Sequence, residues 1–324
     1  MSNTATVLAF DFGASSGRAI RAVYDGQNLT YEEIHRFENV PIEKDGHLCW
    51  DVETLLKEIH TAIQKAGTFD SLGFDTWGVD FGLLDTDGHL LANPVHYRDA
   101  RTNGKPEQAA ARMPAEELYA HTGNQIMAIN TLFQLLALRE QDPELLQKTA
   151  QILFMPDLFA ALLGAEPVCE RSIASTSQML DPRTEQWSRE VLSVYGLPEN
   201  HFAPLVASGT VTGTLTTGAK IIAVAGHDTQ CASAAMPCAE EDVEHTAFLS
   251  CGTWSLLGTE LDTPILTADS CQSGLSNELG ANGKINYLKN IIGLWLIQES
   301  RREYKRRGQA YSFAELEQQA LAAE

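Results

Sequence analysis

Three short segments carry residue types suited to handling phosphate. The first is Asp11-Phe12-Gly13-Ala14-Ser15-Ser16-Gly17-Arg18. Gly13 and Gly17 let a backbone come close to a phosphate. Ser15, Ser16 and the N–H groups of a turn through Ala14 can donate to its oxygens, and Arg18 can neutralise its charge. Asp11, at the end of an apolar strand, could hold Mg2+ directly or through water. The second segment, Ser250-Cys251-Gly252-Thr253-Trp254-Ser255, repeats that chemistry. Gly252 and Thr253 could face the same phosphates from across a cleft. The third is Gly226-His227-Asp228-Thr229. A carboxylate at the C-terminal end of a buried strand, just before a helix, projects into a cleft. There Asp228 could act as a general base, taking the proton of an attacking hydroxyl as a γ-phosphoryl group moves. Plain alternatives stand beside each reading. A Gly/Ser turn serves equally as an ordinary hairpin, Asp228 as a helix N-cap, and His227 as a packed histidine.

Other chemistries fit less well. The G-x-x-x-x-G-K-[ST] phosphate loop is absent. A strand follows the first turn where a dinucleotide fingerprint needs a helix. Asp75 and Asp80, as a glycosidase pair, would face opposite sides of one strand. No G-x-S-x-G elbow is present for a serine hydrolase. The six cysteines make no C-x-x-C pair and read as reduced thiols rather than a zinc site.

The elements that would position these groups follow from pattern. Residues 7–11, 19–24 and 29–37 read as strands, with Asp25-Gly26 as a hairpin turn, so the chain opens as an antiparallel meander. Apolar residues at helical spacing from Val52 to Ala66, Asp51 as N-cap and Gly67 as stop predict a helix. Strands are expected over 72–76 and 78–84, and helices over 131–141, 144–154 and 157–163. A further strand over 221–225 leads into the His227-Asp228 segment and a small-residue helix. The acidic stretch 237–244 marks a domain boundary, dividing the chain into 1–244 and 245–324. Beyond it, strand, Gly/hydroxyl turn and return strand echo the opening, a weak internal repeat that suggests two related lobes with a cleft between them. An apolar helix over 291–297 needs cover.

The 324 residues suffice for two domains. Apolar residues make up 44% and charged residues 20%, as in a globular protein. No run of about 20 apolar residues occurs, and residues 1–6 lack the pattern of a signal peptide, so a cytosolic protein is expected. The formal charge of −20 argues against nucleic acid and anionic membranes as partners. A nucleotide would likewise need local positive potential and a metal. The basic run Arg301, Arg302, Lys305, Arg306 and Arg307 reads as a solvated helix face.

Set in order along the chain, these segments resemble the FGGY carbohydrate kinases, members of the actin-like, ribonuclease-H-like ATPase superfamily. The resemblance rests on the Asp11 to Arg18 turn, Asp75-Thr76-Trp77-Gly78-Val79-Asp80-Phe81, Tyr97-Arg98-Asp99, Met155-Pro156-Asp157, His227-Asp228-Thr229, Gly252-Thr253-Trp254-Ser255, Lys289-Asn290-Ile291 and Gly293-Leu294-Trp295-Leu296. It implies an α/β fold with one complete domain and a partial second. It also implies ATP and Mg2+ as cofactors, and a ketose substrate. The run from Asp75 to Phe81 favours members acting on L-rhamnulose. By resemblance, Asp228 is the catalytic base. Ala14, Ser15, Ser16, Gly17, Arg18, Thr253 and Gln298 meet the nucleotide, and Asp11 the metal. Gly78, His227, Asp228, Thr229 and Asn290 meet the sugar, with Trp77, Asp80 and Asp99 as further candidates. Trp77 could instead be core, and Asn290 could cap a helix beginning at Ile291. Domain closure would exclude water. Family members continue past residue 324 into a Gly-Gly-rich adenosine segment, so weak or absent turnover is expected. The alternatives are an inactive sugar-binding remnant, a kinase for another ketose such as L-fuculose, and an ATPase of the actin or heat-shock type.

Overall fold

The computed structural model describes residues 4–323, apart from the side chains of Glu240, Glu241 and Glu244. Residues 1–3 of the polar start, and Glu324, lie outside the described residues.

The first lobe is built on a six-stranded sheet. Its strands are β1 (Ala5–Phe12), β2 (Ser16–Tyr24), β3 (Leu29–Glu38), β4 (Ser71–Thr76), β5 (Thr210–Thr214) and β6 (Lys220–Ala223), in the order β5-β6-β4-β1-β2-β3. The opening meander forms as expected: β1 runs antiparallel to β2, and β2 to β3. β1 also pairs in parallel with β4, aligning Asp11 with Asp75, and β4 pairs in parallel with β6. Three parallel strands therefore end on the same edge, where open α/β sheets place their ligands. Leu8, Phe10 and Phe12 alternate along β1 and are fully buried. Phe10 stacks on Phe74 of β4 at 4.8 Å.

Helix α1 (Val52–Ala66) has the predicted bounds. Asp51 accepts from the Thr54 N–H, and Gly67 ends the helix at φ 67°. Val52, Leu55, Ile59, Ala62 and Ala66 form its buried stripe. Helix α2 (Thr131–Gln141) matches its expected range as well. The helix expected over 144–154 does not form as one piece. A short helix, Pro143–Lys148, is followed by a strand, Gln151–Phe154, which pairs antiparallel with Phe81–Leu84. Ile152, Leu153 and Phe154 are all buried, and a short apolar run buried on both faces carries no period by which to separate strand from helix. The strand expected over 78–84 shortens to Phe81–Leu84, because Val79 sits at φ 65° in a turn. Helix α3 (Met155–Leu162) packs beneath β4 and sets Phe159 on Phe12 at 4.9 Å.

After β6 the chain enters helix α4 (Asp228–Ala234) and then the second lobe. Strands β7 (Phe248–Cys251), β8 (Trp254–Leu261), β9 (Ser276–Leu279) and β10 (Ile285–Ile292) form an antiparallel sheet in the order β7-β8-β10-β9. The apolar run 291–297 is split between the end of β10 and the start of helix α5 (Trp295–Arg306), so Asn290 lies in a strand and caps no helix. Phe248, Leu256 and Leu288 form a small core, while Leu249, Leu257, Ile292 and Leu296 face outward and are each exposed. All six cysteines are free thiols. Among the described residues no helix is long and apolar enough to cross a membrane.

Candidate active site

The two Gly/hydroxyl turns and the end of β6 open onto one cavity of about 310 Å3 between the lobes. Cavities that take small molecules span roughly 300–1,000 Å3, so this one has room for a sugar and a phosphate. In the first turn the Gly13 N–H donates to the Ser16 carbonyl at 2.9 Å. Asn39 donates from its side chain to the Gly13 carbonyl, also at 2.9 Å. Gly13, Ala14, Ser15 and Ser16 line the cavity. In the second turn the Gly252 N–H donates to the Trp254 carbonyl at 2.8 Å. The first N–H groups of α5 fold back on it: Leu294 donates to the Gly252 carbonyl and Trp295 to that of Thr253. Gln298, one turn further along, donates to Thr253 Oγ1 at 3.4 Å. Thr253 lines the cavity, and Gln298 stands behind it. Arg98, from the first lobe, lies over the rings of Trp254 and Trp295, tying the second turn to the first lobe.

Gly17 and Arg18 are placed differently from expectation. Gly17 is buried away from the cavity, and a Cβ there would stand 2.2 Å from the ring of Phe37. It makes room for packing, not for phosphate. Phe37 is itself wedged edge-on against Phe12, so it has little freedom to yield. Gly17→Ala is expected to cost about 1–3 kcal/mol of stability by overpacking, read as a lowered denaturant midpoint. Arg18 extends from β2 to Asp11, donating from Nε and Nη2 to Oδ2 at 2.8 and 2.6 Å.

The base candidate sits at the cavity floor. Asp228 begins α4, with His227 as the cap residue, so it is no N-cap. Its Oδ1 accepts from the Thr229 N–H at 2.6 Å and from Thr229 Oγ1 at 3.2 Å, and His227 Nε2 stands 3.3 Å away. These partners converge on Oδ1, which leaves Oδ2 for an incoming hydroxyl. The side chain opens onto the cleft, yet protein surrounds that floor. Burial there raises the Asp228 pKa, against the pull of His227 and Thr229. Its neighbour Asp75 is pushed well up, by burial and then by the charges of Asp11 and Asp228. Asp11 and Asp75 face each other at the ends of β1 and β4, and of these three acids Asp228 alone is among the residues lining the cavity.

Gly78, Thr229 and Asn290 line the same cavity as Asp228 and His227, and Trp77 does as well, although its ring is largely buried. A Cβ on Gly78 would touch the His227 ring at 3.4 Å. Asp80 and Asp99, both candidates for the sugar pocket, are elsewhere. Asp80 is fully buried and accepts from Trp50, Trp77, Tyr97 and Gln134. Asp99 accepts from His47 and from the Leu48 and Arg101 N–H groups. Both carboxylates are consumed as structural acceptors. Sequence reasoning missed Asn124, Gln125 and Glu278, which also line the cavity. A polar strand such as Ser276-Asn277-Glu278-Leu279 shows nothing locally that would have singled Glu278 out.

A sequence profile for the N-terminal domain of the FGGY family of carbohydrate kinases matches residues 6–234, and one for its C-terminal domain matches residues 247–324. The chain belongs to this family. It is 41% identical over 307 residues to a rhamnulokinase of Bacteroides thetaiotaomicron, covering 91% of the chain. It is 40% identical over 326 residues to a rhamnulokinase of Enterococcus faecalis, covering 96%. The chain spans 63% and 64% of the lengths of these two relatives. Among solved structures, a ligand-bound xylulose kinase from Lactobacillus acidophilus superposes with a TM-score of 0.76 at 16% identity. That match covers 91% of this chain and 62% of the other. A gluconate kinase from the same organism gives 0.74 at 16%, covering 92% and 62%. The expected actin-like α/β architecture is therefore the fold of this family member.

Proposed function

We propose that this chain carries the machinery of an ATP-dependent ketose kinase whose acceptor is L-rhamnulose, the products being L-rhamnulose 1-phosphate and ADP. The observation that carries the reading is the placement of Asp228 between two glycine-hinged turns on one cavity. The sugar named follows the two relatives near 40% identity, both rhamnulokinases. In this reading residues 1–244 hold sugar and phosphate, and residues 245–324 bring the second phosphate turn and Gln298 toward the nucleotide.

The ketose lies along Gly78, His227, Thr229 and Asn290, with the hydroxyl to be phosphorylated against Asp228 Oδ2. That oxygen takes the proton as the hydroxyl oxygen attacks phosphorus, with ADP as leaving group. The backbone of Ala14 to Ser16, together with Thr253, donates to the phosphate oxygens where charge builds. A bound Mg2+ would neutralise phosphate charge, and Asp11 would hold it, directly or through water. Arg18 keeps Asp11 oriented for that task. Closure of the lobes excludes water from the γ-phosphate.

The test is ADP release by the purified chain with ATP and Mg2+, in the presence of L-rhamnulose, L-fuculose, D-xylulose or no sugar. L-Rhamnulose is expected to stimulate release above the others. Equal release with and without sugar would point to a plain ATPase, and preference for L-fuculose would move the acceptor assignment.

A further inference from the structure

The carboxylate of Glu278 belongs to the second lobe, yet it is spent on the first. It lies on β9, is 4% exposed, and lines the cavity. Its Oε2 stands 3.0 Å from His227 Nδ1 and accepts from Gln230 Nε2 at 2.7 Å. His227 and Gln230 are the cap and third residue of α4, so one oxygen grips the start of the helix that carries Asp228. The far side of the same ring, Nε2, is the atom 3.3 Å from Asp228 Oδ1. The grip is itself anchored. Gln230 Oε1 accepts from Asn286, which also donates to Ser233 Oγ. Next to Glu278 in β9, the Leu279 N–H donates to Ser175 Oγ at 2.9 Å and the Asn277 N–H to the Gly123 carbonyl.

We propose that Glu278 is a positioning residue for the base, fixing the His227 ring so that Nε2 holds Asp228 Oδ1 and leaves Oδ2 free for the sugar hydroxyl. This rests on the kinase reading of the site. A buried carboxylate facing solvent-free surroundings costs several kcal/mol unless a partner offsets it. Here the partner is an imidazole whose other nitrogen points at the reacting acid. As an imidazolium the ring donates from both nitrogens, Nδ1–H to Glu278 and Nε2–H to Asp228. The Gly78 backbone runs close beside the ring, near enough that a Cβ there would stand 3.4 Å from its Cδ2 and Nε2. The charged groups facing it are Glu278 from β9, Asp228 from its own helix and Asp75 from β4. Burial opposes a charge on the ring, and these three carboxylates override it, raising the His227 pKa to about 9. The coupling also spans the lobes. Displacing β9 would release the ring, so the base is set only when the second lobe is seated.

The experiment compares the full chain with its Glu278→Gln and Glu278→Asp variants by two readouts. Glu278→Gln keeps the shape and can still bond Gln230; its rate of sugar-dependent phosphoryl transfer is expected to fall about 10–100-fold, the usual loss when an orienting partner is removed, with KM for ATP unchanged. Glu278→Asp keeps the charge but shortens the reach, and should lose less. The second readout needs no turnover: the ring signals of His227 in histidine-labelled protein, assigned by their absence in His227→Gln. The midpoint near 9 is expected to drop by about 1–3 pH units in Glu278→Gln. A lowered melting temperature with an unchanged rate and unchanged ring titration would reduce Glu278 to lobe packing and overturn the proposal. If the parent protein transfers no phosphate to any sugar, the kinase reading fails, and the ring titration still decides whether Glu278 holds His227.

Discussion

On the proposed kinase reading, Asp228→Asn is expected to lower sugar-dependent phosphoryl transfer by about 10²–10⁴-fold, the range that a positioned general base contributes, while L-rhamnulose still binds. The geometry makes this substitution a sharp probe. The Thr229 N–H, Thr229 Oγ1 and His227 Nε2 all lie on Oδ1. An amide oxygen takes over that side without strain. The NH2 group then replaces Oδ2, the atom facing the cavity, and it donates a hydrogen bond where the reaction needs an acceptor. Shape and burial are kept, and the proton sink is removed. Calorimetry with L-rhamnulose and single-turnover assays with ATP separate the two effects. Near-normal transfer in the variant would show that the hydroxyl loses its proton elsewhere. The pH dependence has a fixed sign. Burial raises the Asp228 pKa, so the base is protonated, and the rate falls, at a higher pH than for an ordinary carboxylate. In Asp228→Asn that acidic limb should vanish from the residual rate.

What could be read in advance follows from how far apart the interacting residues lie in sequence. Helix α1 was legible because its cap, stripe and stop lie within Asp51 to Gly67. The two turns and the strand-end acid were legible because each is a local pattern of glycine, hydroxyl and carboxylate. The pairing that brings them together was not. β1 meets β4 across a gap holding β2, β3 and α1, and nothing at Asp11 announces Asp75 as its neighbour. Gly17 illustrates the same limit. Its turn reads as a phosphate loop, but the bond-length-scale crowding comes from Phe37, two strands' length away. Glu278 had no local mark at all, since its meaning depends on His227, 51 positions earlier. Asp80 misled for the opposite reason. It lies in a motif that the resemblance ties to the sugar, and the fold turns its side chain inward.

That inward turn sets the largest expected loss of stability, in Asp80→Ala. Asp80 Oδ2 accepts from Trp50 Nε1 at 2.7 Å, Trp77 Nε1 at 3.0 Å and the Tyr97 N–H at 3.1 Å. Oδ1 accepts from Gln134 Nε2 at 2.8 Å. Removing the carboxylate strands three donors in a site with no access to solvent, while Gln134 Nε2 keeps the Ile129 carbonyl at 2.8 Å. Each buried donor left unpaired costs about 1–3 kcal/mol. Some are recovered if water enters the space, so a net loss of about 3–5 kcal/mol is expected, at the far end of what single substitutions do. The damage reaches the cleft as well, because Trp77 and Gly78 line it. Asp80→Asn is the milder test. Its NH2 group must face either the indoles or Gln134, and Gln134 cannot reverse its amide while Oε1 accepts from Arg101 Nη2 at 2.8 Å. Burial outweighs the four donors and raises the Asp80 pKa from 3.8 to about 6. The folded protein therefore binds this proton more tightly than the unfolded chain. Its contribution is full below pH 3.8 and lost as pH rises through about 6. Asp80→Asn cannot titrate, so the advantage of the parent protein over it should shrink across that window and then level. Denaturant midpoints of the two proteins, measured side by side across the window, give the difference directly, and a gap that widens with pH would mean that the four donors, not burial, dominate the carboxyl group.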